Sequence, residues 1–396
     1  MVMSHNNCVG ICGEYVSKWA GKFVIGLTGN IATGKSVVRR MLEHLGAYGI
    51  NADALAHRVL SRGAPGYQPV VELFGKRILN PAGEIDRDRL GKLVFTDPNA
   101  LNDLEGIVHP FILQAVDLLV KRASQKVVAI EAIKLLESGM AAWCDSVWVT
   151  TISPELQLER LTKKRLLDPA SAKARMAAQS PQVEKIKAAD IVINNAGSFE
   201  DTWTQVMAGW KRIVTTEWEP PSAPVTSRPA PAREDFTIEH GKPSFASEIA
   251  AMITRVAQDS FPRTREDIME AFGEKALILL RRNGQIVGVA GWQVENLVSR
   301  TTDLFLQRDI AYDKSLPLLI QEIERSSKEL QCEVSLIFSP LGLEIEPTIW
   351  EKLGYKKQTP EKLDSYDWQQ AAQESMPSGT ELYFRQLRNE RVLRPI

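Results

Sequence analysis

The sequence predicts an α/β protein: a parallel β-sheet covered by helices on both faces, followed by a smaller α+β domain. Three observations predict it. Short Val- and Ile-rich runs alternate with stretches of helical periodicity through the first half of the chain. A glycine-bearing loop stands at the first strand-to-helix junction. Residues 215–235 hold five prolines, Pro220, Pro221, Pro224, Pro229 and Pro231, and read as an extended linker between two domains. The expected division is a tail at 1–21, a first domain at 22–214, the linker at 215–235 and a second domain at 236–396.

Each element follows from its local pattern. Phe23–Thr28 is an apolar run ending before Gly29 and reads as the first strand. Val37, Val38, Met41, Leu42 and Leu45 then recur at helical spacing. Ala47–Asn51 is a short second strand, and Leu101–Ala123 is the most regular helix. Lys126–Ile130 and Ser146–Thr151 read as buried strands, with Ala189–Asn194 as the last. Strands separated by helices require a parallel sheet with right-handed crossovers. Beyond the linker, Ala276–Arg281, the Asn283–Gly284 turn and Gln285–Val289 form a hairpin. Asp303–Leu306 and Val334–Phe338 are strands, and Leu316–Leu330 is a helix with Pro317 in its first turn.

Composition narrows the class. The 396 residues carry a formal net charge of −1, which gives no basis for binding nucleic acid or an anionic membrane. No apolar run is long enough to span a bilayer. Residues 1–21 lack the basic and then apolar pattern of a signal peptide and read as a tail. The four cysteines, Cys8, Cys12, Cys144 and Cys332, are too few and scattered for a disulfide framework, so a cytoplasmic setting is expected. The Cys8–Cys12 pair has no second pair nearby to complete a metal site.

Residues Gly29, Asn30, Ile31, Ala32, Thr33, Gly34, Lys35 and Ser36 match G-x-x-x-x-G-K-[ST]. The match lies between a strand and an amphipathic helix, where its mechanism requires. The glycines let backbone N–H groups and the helix N-terminus wrap an anion. Lys35 is expected to reach the β- and γ-phosphates of ATP, and Ser36 to offer its hydroxyl to Mg²⁺. Asp53 follows the second strand, where groups beyond the strand ends gather in open α/β sheets. It reads as a base for an attacking hydroxyl or as a helix N-cap, with equal weight on position alone. Glu131 ends the third strand and reads as a carboxylate acting on Mg²⁺ or as a strand-end ion pair. Residues 154–180 are basic, with Arg160, Lys163, Lys164, Arg165, Lys173 and Arg175 on a segment suited to closing over phosphates.

Taken together, residues 22–212 resemble the dephospho-CoA kinases. The resemblance rests on Gly26–Ser36 (G-L-T-G-x-x-x-x-G-K-S) and on Asn51-Ala52-Asp53-x-x-Ala56-His57. Phe74-Gly75, Gly83–Arg87, Val94-Phe95 and His109-Pro110 continue it. Arg175–Gln179 resembles the lid's R-I-x-x-Q, and Ala189–Asn195 resembles A-D-x-V-I-x-N. The resemblance implies a P-loop kinase fold with a helical lid. It implies ATP-dependent phosphorylation of the ribose 3′-hydroxyl of dephospho-CoA, the last step of coenzyme A biosynthesis, with Mg²⁺. It makes Asp53 the base and Lys35, Arg160, Arg165 and Arg175 the catalytic cations. Asn194 joins the ATP contacts, and His57, Asp86 and Arg87 shape the CoA side. Two positions depart from the pattern: Asn51 replaces the first aspartate of D-A-D, and Ile133-Lys134 replaces a Pro-Leu pair. Another small-molecule P-loop kinase, or an ATP-sensing regulator with a partner-binding second domain, are the competing readings.

The second domain resembles the GNAT acetyltransferase fold, including Leu353-Gly354-Tyr355. The glycine-bearing acyl-CoA loop of that family is replaced by Gln307–Asp313, which has no glycine. A non-catalytic role is therefore expected ahead of an unusual transferase. The chemistry is expected to lie wholly in the first domain, with few contacts crossing the linker.

Overall fold

The computed structural model describes residues 18–163, 166–213, 236–257 and 262–388. The linker, Arg165, Cys8 and Cys12 lie outside the described residues. The first half runs β1 (Phe23–Thr28), α1 (Lys35–His44), β2 (Tyr48–Asn51), α2 (Ala52–Val59), α3 (Tyr67–Phe74), α4 (Arg87–Thr96), α5 (Pro98–Arg122), β3 (Val127–Glu131), β4 (Ser146–Thr151), α6 (Pro154–Lys163), α7 (Pro169–Ala177), α8 (Gln182–Lys187), β5 (Ile191–Asn194) and α9 (Phe199–Ile213). The five strands form one sheet in the order β2-β3-β1-β4-β5, and every pairing is parallel.

Alternation along the central strands divides the core. Val24, Val128 and Ile130 face one cluster with Leu55, Val116 and Leu119. Ile25, Leu27, Val127 and Ala129 face the other, with Val38, Met41 and Trp210. A strand buried on both faces needs a continuous apolar run, and all five residues of β3 are buried. Register then fixes the site. Leu27 and Asn51 both pair with Glu131, so β1, β2 and β3 end at one level. The tail does not run to residue 21 as expected. Trp19 is buried, donates to Asp117 at 2.9 Å and meets Trp143 edge-on.

The second half runs β6 (Phe236–His240), α10 (Ala246–Ala257), α11 (Arg265–Phe272), β7 (Ala276–Arg282), β8 (Gln285–Glu295), β9 (Val298–Leu306), α12 (Tyr312–Glu329), β10 (Val334–Pro340), α13 (Pro347–Lys352), β11 (Lys356–Gln358), α14 (Tyr366–Ser375) and β12 (Thr380–Gln386). Its sheet has the order β11-β12-β10-β9-β8-β7-β6, antiparallel except for β9 against β10. Asn283 and Gly284 take the positive φ values that a tight hairpin turn demands. Helix α12 begins at Tyr312, a turn earlier than expected, so Pro317 lies inside it. That proline has no N–H to offer the carbonyl four residues before it.

The expectation that few contacts cross between the halves does not hold. The β8–β9 turn places Asn296 and Leu297 at positive φ, and Leu297 is buried in the core cluster of the first half. A left-handed leucine is strained, so burial of its side chain must offset the turn. Arg58 on α2 donates to Glu333 at 2.6 Å, and their side chains are only 6% and 2% exposed. Arg58 also pairs with Asp367 at 3.5 Å. On α1, Arg40 donates to the Val294 carbonyl at 3.0 Å and His44 to that of Phe272 at 2.9 Å.

Candidate active site

The loop between β1 and α1 is shaped by two glycines. Gly29 has φ 144°, and a Cβ there would lie 2.5 Å from the Thr150 carbonyl oxygen. Gly34 has φ 91° and caps α1, and a Cβ there would collide with the Asn195 amide. No other residue type fits either place. Thr33 is buried, and its hydroxyl bonds to the Asn30 carbonyl and meets Thr150 Oγ1, both at 2.7 Å. Lys35 is buried and its Nζ reaches the Asn30 carbonyl at 3.2 Å.

At the end of β3, the Glu131 carboxylate accepts from Ser36 Oγ at 2.7 Å and from Arg39 Nε at 2.7 Å. Arg39 also pairs with Glu43. Burial opposes its charge, but Glu43 and Glu131 hold the Arg39 guanidinium above its ordinary value. A serine hydroxyl beside a carboxylate offers the hard oxygens that Mg²⁺ takes, together with phosphate oxygens. No group of three His, Cys, Asp or Glu residues able to hold a metal occurs among the described residues.

Asp53 is not the helix cap. Asn51 caps α2, its Oδ1 accepting from the Ala54 N–H at 3.0 Å. Asp53 instead accepts from the Ile133 N–H, at 3.1 and 3.3 Å to its two oxygens. Burial raises its carboxyl above the ordinary value, against the pull of Lys35 and the Ile133 N–H. The family pattern places proline at position 133, and a proline has no such donor. The inserted Lys134 pairs with Glu105. Lys185, buried, donates to the Ile133 carbonyl at 2.5 Å and adds positive charge near Asp53.

These groups open onto one cavity of about 530 Å³, lined by Lys35, Ser36, Asp53, Glu131 and Arg160 among others. Arg160 spans its edge, donating to the Asn195 carbonyl at 2.8 Å. Other predicted residues lie elsewhere. Arg175 is exposed on α7, outside the cavity lining. Asp86 caps α4 through the N–H groups of Asp88 and Arg89, and Arg87 is exposed. His57 faces Arg58, Arg87, Arg300 and Asp367 at the seam with the second domain. His57 is itself exposed, and desolvation by its neighbours, reinforced by the Arg87 charge, shifts its pKa downward. Asn194 is exposed and bonds to the Ala196 N–H. Asn195 is the buried one, donating to the Thr33 carbonyl at 3.0 Å and accepting from Thr202. The motif A-D-x-V-I-x-N ends on Asn195, so the sequence held this correction.

The lid glutamines were also missed. Gln179 accepts from the Ile31 N–H at 2.8 Å and Gln182 from the Asn30 N–H at 3.1 Å. Gln157 on α6 donates to the Ile31 carbonyl at 2.7 Å. Gln179 closes the R-I-x-x-Q resemblance, which was its only signal. Glu270, Gly273, Glu274 and Glu295 of the second domain also line the cavity. No local pattern announces them.

A phosphate loop facing a carboxylate across one cavity, on a parallel sheet, defines a P-loop phosphotransferase. The family model described as dephospho-CoA kinase matches residues 23–201. A dephospho-CoA kinase of Geobacter metallireducens is 44% identical over 194 residues, which are 48% of this chain and 96% of that protein. One from Carboxydothermus hydrogenoformans is 39% identical over 198 residues, 49% of this chain and 96% of that protein. The chain therefore belongs to the dephospho-CoA kinase family. Its C-terminal region is similar to a GNAT-family acetyltransferase of Staphylococcus aureus Mu50, at 15% identity and TM-score 0.31, covering 39% of this chain and 100% of that one.

Proposed function

We propose that the chain transfers the γ-phosphoryl group of ATP to the ribose 3′-hydroxyl of dephospho-CoA, giving CoA and ADP. One observation carries the reading beyond family membership: Lys35 and Ser36 of the phosphate loop share a cavity with Asp53 and Glu131. Asp53 accepts the hydroxyl proton as the 3′-oxygen bonds to the γ-phosphorus, and the bond to the β,γ-bridging oxygen breaks. The raised pKa of Asp53 makes it a stronger base than an exposed aspartate. Lys35 and the loop amides offset charge on the phosphoryl oxygens, and Arg160 closes the cavity edge. Ser36 Oγ and the Glu131 carboxylate would hold Mg²⁺, which supplies charge neutralisation across the β- and γ-phosphates when bound. Arg165 and Arg175 remain proposed lid cations, acting on lid closure, and His57, Asp86 and Arg87 the proposed CoA-side residues.

No helix among the described residues is long and apolar enough to cross a membrane. A cytoplasmic setting fits the two described cysteines, Cys144 and Cys332, which are both free thiols. ADP release measured with dephospho-CoA, AMP and shikimate in parallel tests the substrate. Turnover with dephospho-CoA alone is expected. Equal turnover with AMP would instead define a nucleotide kinase, and none with any acceptor would favour an ATP-sensing role.

A further inference from the structure

The cavity has two ends about the phosphate loop. At one lie Asn51, Asp53 and Glu131, the acceptor end. At the other, Gly34, Arg160 and Gly197 face Glu270, Gly273 and Glu274, which belong to the second domain. ATP bound with its γ-phosphate toward Asp53 carries its nucleoside at the other end of the triphosphate, beyond the part that the loop grips. We propose that the second domain supplies the wall against which this nucleoside binds, so that one ATP is held by both domains. The proposal rests on the reading of the loop as the ATP triphosphate site.

Three contacts fix the wall in place. A Cβ on Gly273 would lie 3.3 Å from Val37 Cγ1 and 3.6 Å from Phe199 Cδ2, so the end of α11 abuts both the phosphate-loop helix and α9. The Phe272 carbonyl accepts from His44 Nε2 at 2.9 Å, and Phe272 meets the His44 ring edge-on at 5.4 Å. Arg265 at the start of α11 pairs with Glu200 on α9. The first domain thus holds α11 at both its start and its end.

Chemistry decides what this wall receives. Glu270 and Glu274 are exposed, and neither carboxylate has a hydrogen-bond or ion-pair partner among the described residues. An ionised carboxylate only accepts hydrogen bonds and repels phosphate. The nucleoside of ATP is neutral and presents donors: two ribose hydroxyls and the adenine amine. It is the one part of the nucleotide that two free carboxylates can hold. Gly273 between them lets the end of α11 sit close against Val37 and Phe199, since a side chain there would press on both.

The test uses the full chain and compares ATP with inorganic tripolyphosphate, which has no nucleoside, by calorimetry in Mg²⁺. In the double variant Glu270→Gln, Glu274→Gln, ATP binding is expected to weaken about tenfold, as for loss of a charge-assisted hydrogen bond. Tripolyphosphate affinity is expected to hold or improve, because two repelling charges are gone. Gly273→Leu tests the wall by displacing it, because the side chain pushes the end of α11 away from Val37 and Phe199: the KM for ATP rises while that for dephospho-CoA does not. Equal changes for ATP and tripolyphosphate would mean the carboxylates act only as charge, and the proposal fails. Unchanged ATP binding in both variants also overturns it. Failure of the wild-type chain to bind tripolyphosphate would instead refute the phosphate-loop reading beneath it.

Discussion

Replacing Asp53 with asparagine separates chemistry from architecture at this site. The structural part of the change is small. Asp53 makes no cap, because Asn51 already accepts from the Ala54 N–H. The Ile133 N–H, now at 3.1 and 3.3 Å from two carboxylate oxygens, still finds one amide oxygen. The chemical part is large, since an amide cannot take the 3′-hydroxyl proton. General-base steps contribute about 10²–10⁴ in rate, which is about 3–5 kcal/mol of barrier. Stability should move the other way. The folded-state pKa of Asp53 is raised, so its ionised form costs folding energy at any pH above that value. Asparagine removes the cost, and the thermal midpoint at pH 7 should hold or rise. The assay is ADP release with saturating dephospho-CoA, beside ATP affinity and a melting curve for the same preparation. A kcat loss below tenfold, with ATP affinity retained, would refute the assignment of Asp53 as base.

Three further outcomes are expected. Lys35→Ala should abolish turnover while the fold persists, because Lys35 acts on phosphate charge; kcat near the wild-type value in a folded variant would remove the loop from the mechanism. Ile133→Pro removes the N–H that holds Asp53 down, so the acid limb of the kcat/KM profile should move to higher pH; an unmoved limb means another group sets it. Arg58→Ala breaks the buried ion pair with Glu333, at a cost of about 3–5 kcal/mol. Denaturant titration should show that loss, and an unchanged midpoint would show that the pair does not hold the domains together.

The site was legible where chemistry and local pattern coincide. Gly29–Ser36 carries its own signature, and the strands leading to Asn51 and Glu131 are short apolar runs that only a buried parallel sheet explains. Asn195 escaped by one residue. Along β5 only Ile193 is buried, so Asn194 points outward and Asn195 turns in toward the loop. The start of α12 is hidden because proline favours a first turn, so Pro317 points to a start one turn later than Tyr312. Contacts between the halves could not be read locally at all. Leu297 follows an ordinary-looking Glu295-Asn296, and only the fold shows that this turn enters the other core. Nothing in the spacing of Glu270 and Gly273 connects them to Val37.

The same contacts explain how the chain tolerates Asn51 where the family pattern has aspartate. Asn51 keeps the structural duty, since its Oδ1 caps α2 as an aspartate would. What it gives up is charge, at a place that already holds Asp53 and Glu131. Glu295, the last residue of β8, lines the same cavity and also borders the smaller one behind Asn51. An aspartate at 51 would therefore stand among three carboxylates. Like charges raise one another's pKa, and Glu131 already acts on Asp53 in that sense. A further negative charge would drive Asp53 toward its protonated form, in which it cannot serve as base. Asn51 thus keeps the cap without adding to the charge around Asp53, while the strand end that leads into the buried Leu297 brings Glu295 to the rim of the same cavity.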